Sequence, residues 1–550
     1  LKKLVYAVFL MLALLTPRNA GNRFLASVGE AGPHSFKNTA EKSFSIQLTV
    51  NSAEDGDTIY VPPGKYTENL KINKSVKLIA NGTVEIRPVN PKDNTVEILK
   101  DNVTLIGFTL VNQGGICGIR VAGVAGYRIT GNKILGGDYG LLIEDSSKGF
   151  VYGNEVEGCL FGIYFRESSG NTVSQNTVES CKYGISLSLC LNITVVGNRV
   201  ANCTYGLYNH MSDRSNVSKN VFRGNMMGLV AARSVENQIL LNEILNNFYG
   251  VHLDDVRISI VAKNNVSGGL IGVKVQNSYN ISLLNNAVRF STNNIAIDSS
   301  LNMTVSGNML EHAKGHGIIA YETANSILSW NSISHCRVGI SIENCRLNRV
   351  EGNLAVQNSY GLYLFRSSGI QLTHNRCFNN TNTDFYSEGS ENIFVKDLEL
   401  NGNTNDTEVS FTYRGDVSIK RSEPIEFRAG RLLSGFFNIT LLSTDCQVRI
   451  NVTYNLRDIQ ETRREEPVLY RWTGLEWKPL RGSVKEESSV KGSASFLLSE
   501  TGIYVLGVGE KTLEQFPSAV TVTVVLTLIL GSYLTLKKLL KSRKTSVLKS

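Results

Sequence analysis

Val195-Val196-Gly197-Asn198-Arg199-Val200 is followed 22 residues later by Val217-Ser218-Lys219-Asn220-Val221-Phe222, and this frame runs on in both directions. Asn132, Asn154, Asn176, Asn198, Asn220, Asn242, Asn264, Asn286 and Asn308 are each 22 residues apart; one extra residue enters, and Asn331, Asn353 and Asn375 resume the spacing. Three before each Asn stands an aliphatic residue (Ile129, Val151, Val173, Val195), and two after it another apolar one (Ile134, Val156, Val178, Val200). Eight after it glycine recurs, as at Gly140, Gly162, Gly184, Gly206, Gly228, Gly250, Gly272, Gly339 and Gly361. Strict alternation follows each glycine, with Leu141 and Ile143 flanking Leu142 and Val251 and Leu253 flanking His252. Alternation with period two is a strand with one buried face.

Each repeat is therefore short strands joined by Asn- and Gly-bearing turns, with no segment long enough for a helix. One such unit cannot bury its own apolar edge and must stack on the next. Parallel strands stack about 4.8 Å apart, which brings each column into line. The asparagine column then becomes a ladder of side-chain amides. Turn preference alone also places Asn there; both readings give one fold, and neither implies catalysis. The spacing predicts an all-β chain: a right-handed parallel β-helix with 22-residue coils over 43–403.

Upstream the pattern loosens. Ser45-Ile46-Gln47, then Gly56-Asp57-Thr58-Ile59, Gly64-Lys65-Tyr66 and Val103-Thr104-Leu105-Ile106-Gly107-Phe108-Thr109 resemble the opening of NosD-like proteins, which are pectin-lyase-like right-handed β-helices. The resemblance implies that the segment like Ser43 to Glu54 caps the first coil. It is specific for fold rather than activity, because one fold hosts many functions. After Asn403 the period ends. A polar linker precedes short strands over 407–509, read as a small β-sandwich similar to the β-domain that follows the helix in many archaeal surface proteins.

The two ends read as targeting segments. Lys2 and Lys3, an apolar run from Leu4 to Leu15 and a polar stretch to Ala20 have the layout of a secretory signal over 1–20, with a linker over 21–42. Residues 515–536 hold no charge, and about 20 apolar residues suffice to cross a bilayer as a helix. The basic tail over 537–550 follows, which predicts a single-pass anchor in the cell membrane, with the C-terminus cytoplasmic and the rest extracellular. The net charge is +8, but the leader carries three of the positive charges and the tail six, so the part between stands at −1. A nucleic-acid binder would concentrate positive charge in the fold, so that function is excluded.

Chemistry on this scaffold would use the outward positions of the strand after glycine. His252 with Asp254, Lys274 with Gln276, and Asp298 are the candidate ligand-binding residues. Asp254 and Asp298 are two coils apart, about 9.6 Å, near the upper limit for an inverting carboxylate pair. Ordinary polar residues on a wet face would look the same. Asp254-Asp255, Gly315-His316-Gly317 and Asn382-Thr383-Asp384 match the short motifs of pectin hydrolases in the wrong order, so that assignment fails. No complete catalytic motif is present, and no cofactor is implied.

His312 and His335 each lie four after their Asn on adjacent coils, with Cys336 next to them. Imidazole and thiolate suit copper or zinc, and NosD-like proteins are associated with copper delivery. Cys159, Cys181 and Cys203 occupy one slot on successive coils, within disulfide reach or as small buried filler. Thirteen Asn-x-Ser/Thr sequons are candidate glycan acceptors: Asn73, Asn81, Asn102, Asn192, Asn202, Asn216, Asn265, Asn280, Asn302, Asn379, Asn405, Asn438 and Asn451. The sequence thus points to a membrane-anchored extracellular protein that binds glycans or builds the envelope. The alternatives are a carbohydrate-active enzyme and a copper-handling accessory protein. A binding protein should show an aromatic row, and Tyr164, Tyr208 and Tyr363 share one outward column.

Overall fold

The structure is a computed structural model that describes residues 44–400, 408–429, 431–455, 466–480, 482–486, 491–509 and 523–527. The leader, the linker at 21–42, the basic tail and the sequon at Asn405 lie outside the described residues. The repeat winds into a parallel β-solenoid. One ladder of short strands runs in sixteen rungs from Thr58–Val61 to Phe394–Glu399. In a regular coil a three-residue strand leads to the Asn corner, a second three-residue strand follows, and a six-residue strand closes the coil. Thr194–Val196, Arg199–Ala201 and Tyr205–His210 are one such set. The six-residue strands form a broad sheet, in which Tyr183 pairs with Tyr205, Ile185 with Leu207 and Ser186 with Tyr208.

Asn132 to Asn375 stand in one line, as the period predicts. The backbone N–H of Asn176 donates to Asn198 Oδ1 at 2.9 Å, its Nδ2 donates to the same oxygen at 2.9 Å, and it also donates to Val151 O at 3.0 Å. Asn198 repeats these bonds to Asn220 and Val173. Every member is buried, so each amide satisfies groups that water cannot reach. Leu141, Ile163, Ile185, Leu207, Leu229, Val251, Val273 and Ile295 point inward and are at most 1% exposed.

A second corner carries a ladder that the sequence reading missed. Ser146 N donates to Ser168 Oγ at 3.1 Å, Cys190 N to Ser212 Oγ at 2.9 Å and Ser278 N to Ser300 Oγ at 3.1 Å. The recurrent glycine also has a reason other than a turn. A Cβ on Gly162 would stand 2.6 Å from the carbonyl oxygen of Gly184 and 2.6 Å from Val178 Cγ1. At Gly162 the coils approach too closely for a side chain, whereas the same column holds a buried Asn294 further along.

The extra residue between Asn308 and Asn331 is absorbed at a corner. Arg289 pairs with Glu311, 22 residues on, and Ile295 with Ile318, 23 residues on, so the extra residue enters between Glu311 and His316. The open end before the first coil is covered by helix α1, Ile46–Ser52. Ser45 caps it, Ile46 and Val50 are buried, and Glu68 accepts the N–H groups of Ile46 and Gln47 at 3.0 and 2.8 Å. A carboxylate at a helix N-terminus satisfies donors that the helix leaves free.

The far end differs from the expected separate sandwich. Phe394–Glu399 pairs antiparallel with Glu408–Arg414, and Thr383–Glu388 pairs antiparallel with Val417–Arg421. Both solenoid sheets therefore continue into the C-terminal strands. Glu408–Arg414 pairs on with Gln447–Asn455 and then Lys491–Leu498, while Val417–Arg421 pairs with Phe437–Leu441 and then Gly502–Gly509. A last coil left bare would expose unpaired N–H and C=O groups, and the antiparallel strands take them up. Asp384 sits in this seam, 1% exposed. Its carboxylate accepts from Asn380 Nδ2 and from the N–H of Arg421, both at 2.8 Å, and burial raises its pKa to about 6.

The expected transmembrane helix also differs. Among the described residues no helix is long and apolar enough to cross a membrane. Within 515–536 only Thr523–Thr527 is described, and it is a strand paired with Glu466–Trp472 and Gly502–Gly509. Its residues are Thr, Val and Leu, and β-branched side chains favour extended backbone.

Candidate functional site

The outer face of the broad sheet is the surface on which the columns stop repeating. At its N-terminal part the residue just before each glycine is aromatic on four successive coils: Tyr139, Phe161, Tyr183 and Tyr205. Their ring centroids are 5.2, 4.6 and 4.9 Å apart, with interplanar angles of 11°, 7° and 5°. The rings hide their faces on one another and present edges and hydroxyl groups. Tyr164 lies beside them, 5.0 Å from Phe161. Tyr208 is turned 54° and 58° out of the stack against Tyr183 and Tyr205. The sequence reading found Tyr164 and Tyr208 but missed the stacked column. Its signal was the aromatic seven residues after each Asn. A second group stands at the C-terminal part, where Tyr363 and Tyr386 stack at 5.0 Å and 4° beside Tyr360.

Next to the first aromatic group runs an ion ladder. Arg120 bonds Glu97 at 2.7 Å and Glu144 at 2.8 Å, and Arg166 closes on the other oxygen of Glu144. Glu144 is buried, so these charges are used in holding four coils together.

Between the two aromatic groups lie the five predicted ligand residues, all on the outer face and half-buried. His252 pairs with Lys274, and Asp254 with Gln276, which pairs in turn with Asp298. The two carboxylates thus flank Gln276. Asn277 Nδ2 donates to Asp254 Oδ1 at 3.1 Å, and Ser299 Oγ donates to Asp298 Oδ1 at 2.9 Å. His252 is held below the usual imidazole range, first by burial and then by the Lys274 ammonium. Its Nε2 is buried without a hydrogen-bond partner. A neutral imidazole, an ammonium and two separated carboxylates can bond hydroxyl groups. They do not assemble a nucleophile with its base.

The metal candidates do not converge. The His312 and His335 rings stack at 4.8 Å and 26°, with Phe290 stacked on His312 at 5.1 Å. Face-stacked imidazoles direct their nitrogens side by side rather than at one point. Cys336 is buried, donates to Ser334 O at 3.2 Å, and has its thiol pushed up to about 11 by burial. Among the described residues no group of three or more His, Cys, Asp or Glu is placed to hold a metal ion.

All nine cysteines are buried free thiols. The Cys159, Cys181 and Cys203 slot is taken on later coils by Asn225, Asn247, Ser291 and Ala313. These are small side chains or amides, and Cys203 N donates to Asn225 Oδ1 at 2.9 Å. Small volume is what the corner requires.

The pectin-hydrolase tripeptides stay apart. Asp384 is consumed in the seam, and His316 is half-buried, with Nδ1 3.1 Å from Asn293 Oδ1. Trp472 and Trp477 lie 4.5 Å apart, and Trp477 Nε1 donates to Glu426 O at 2.8 Å.

The family model of the periplasmic copper-binding protein (NosD) matches residues 93–265 and 249–412, more than half of the chain. The chain is 40% identical over 110 residues to a cell surface glycoprotein of Methanothermus fervidus, a match covering 19% of this chain and 18% of that protein. It is similar to the periplasmic alginate epimerase AlgG, at 15% identity and a TM-score of 0.37 over 63% of this chain and 84% of that one. It is similar also to the A-module of the mannuronan C-5 epimerase AlgE4 of Azotobacter vinelandii, at 14% identity and a TM-score of 0.34 over 65% and 95%. Likenesses this remote bear on no activity.

Proposed function

The chain belongs to the NosD family, and on that premise we propose that it is an extracellular surface protein whose broad sheet binds glycans without cleaving them. The observation that carries this reading is the uncovered row of Tyr139, Phe161, Tyr183 and Tyr205 with Tyr164 and Tyr208 at its side. Phenol edges bond sugar hydroxyls, and Tyr208, turned out of the stack and parallel to His210 at 5.9 Å and 6°, adds its edge and hydroxyl to the row. His252, Asp254, Lys274, Gln276 and Asp298 extend the polar surface toward the second aromatic group. A row of coils supplies many weak contacts that add when one chain binds several. The surface location is supported by the match to a cell surface glycoprotein.

The solenoid winds right-handed, as parallel crossovers do. Attachment to a membrane rests on the uncharged stretch over 515–536 and its basic flank. The strand at Thr523–Thr527 claims five of the same residues, so extraction of membranes with alkaline carbonate decides between them. Release of the full chain into the wash would end the anchored reading.

Binding is tested with the immobilised full chain and a panel of neutral and acidic polysaccharides, following retention and the release of reducing or unsaturated ends together. Retention without release, lost in Tyr208→Ala, is expected. Release of products that disappears in Asp254→Ala would make the protein an enzyme, and neither retention nor release would leave a structural envelope role. A copper-handling reading draws only on the family's description. Stoichiometric copper in the purified chain, lost in the His312→Ala, His335→Ala double variant, would favour it.

A further inference from the structure

Four sequons occupy one column of the solenoid. Asn102, Asn192, Asn280 and Asn302 each stand at the corner that follows the broad-sheet strand, with φ of 60°, 55°, 55° and 55°. The backbone N–H of each bonds the next coil, to Ala125 O, Asp213 O, Leu301 O and Ala324 O at 2.9 to 3.2 Å. Asn102, Asn192 and Asn280 are exposed and Asn302 is half-buried. None of the four side-chain amides donates a hydrogen bond to the described protein. The fold does not demand Asn here, since Arg214, Glu236, Ile258 and Leu347 hold the same left-handed corner. Three other sequons are less open, since Asn216 and Asn438 bury their side-chain oxygens and Asn451 Oδ1 accepts from Ser495 Oγ, while Asn73, Asn81, Asn202, Asn265 and Asn379 are exposed outside this column.

We propose that Asn102, Asn192, Asn280 and Asn302 carry N-linked oligosaccharides in a row along this corner, transferred before the coils close. The donor class is an oligosaccharide on a polyprenyl phosphate. The side-chain nitrogen forms a bond to the anomeric carbon, the bond from that carbon to the lipid phosphate oxygen breaks, the lipid phosphate leaves as an anion, and the nitrogen loses one proton.

The order of events follows from the middle residue of each sequon. Val103, Ile193, Ile281 and Met303 are at most 1% exposed. A folded coil cannot present all three residues to a transferase without emptying its core.

The test expresses the full chain in cells that carry out N-glycosylation, beside a secreted sequon reporter, and maps glycopeptides by mass spectrometry. Modification is expected at Asn102, Asn192, Asn280 and Asn302. Asn325 shares the corner but has Ile327 where a sequon needs Ser or Thr two residues on, and should stay bare. A second arm offers a purified transferase and its lipid-linked donor either the folded, unmodified chain or the unfolded Ile185→Asp variant. Transfer should be at least tenfold faster to the unfolded chain. A modified reporter beside four bare asparagines would overturn the proposal. So would equal transfer to folded chain.

Discussion

The corner that holds Asn132 to Asn375 and the outer face that holds Tyr139 to Tyr386 run along the same coils, yet they tolerate opposite things. At the corner one residue type recurs twelve times. Each amide accepts from the coil before it and donates to that coil's carbonyl, so a change orphans buried groups on both sides. On the outer face the column through Tyr164 reads Ser186, Tyr208, Val230, His252, Lys274 and Ala296 on the following coils. These side chains are bound by no shared requirement. Repetition marks what stacking needs, and its loss marks the surface left free to meet a ligand.

The strongest way to break that contrast is to place charge inside. Ile185→Asp should destabilise by about 4 kcal/mol or more, as an unpaired buried charge does, read as loss of the folded fraction in urea titration. A stable variant would mean that the inward column is not a core.

Next comes the ladder. Asn198→Ala removes the acceptor for Asn176 N and Nδ2 and the donor to Val173 O. It should cost about 3 kcal/mol, since each buried group left unpaired costs about 1–3. Amide exchange should accelerate on the coils of Asn176 and Asn198 first.

Smaller is the titration of Asp384. Its folded pKa of about 6 stands above the ordinary aspartate value of 3.8, and burial is the main cause. The folded form therefore holds its proton more tightly. Stability from this group is full below the unfolded value and declines as pH rises from about 4 to 6, by about 2 to 3 kcal/mol at 1.36 per unit. Unfolding measured across that window should show the decline, and Asp384→Asn should flatten it.

The smallest effects belong to the outer face. Asp254→Ala and Lys274→Ala should leave stability within about 0.5 kcal/mol of the parent. A loss as large as that of Asn198→Ala would show that this face, too, serves the fold.

The sequence by itself determined the coil, its period, the asparagine line and the inward columns. These depend on residue identity repeated at one interval, and stacking converts interval into alignment. The glycine column was visible too, but its cause was not. Only the assembled coils show that a Cβ on Gly162 would strike the Gly184 carbonyl. The serine ladder at the second corner, the face-to-face stack of Tyr139, Phe161, Tyr183 and Tyr205, and the face-stacked His312 and His335 were likewise decided in three dimensions. So was the continuation of both sheets into the strands after Glu408, where the sequence shows only a break in period. Each turns on distances and ring orientations between residues a full coil or more apart. A one-dimensional pattern places such residues in one column but does not fix which way their side chains turn.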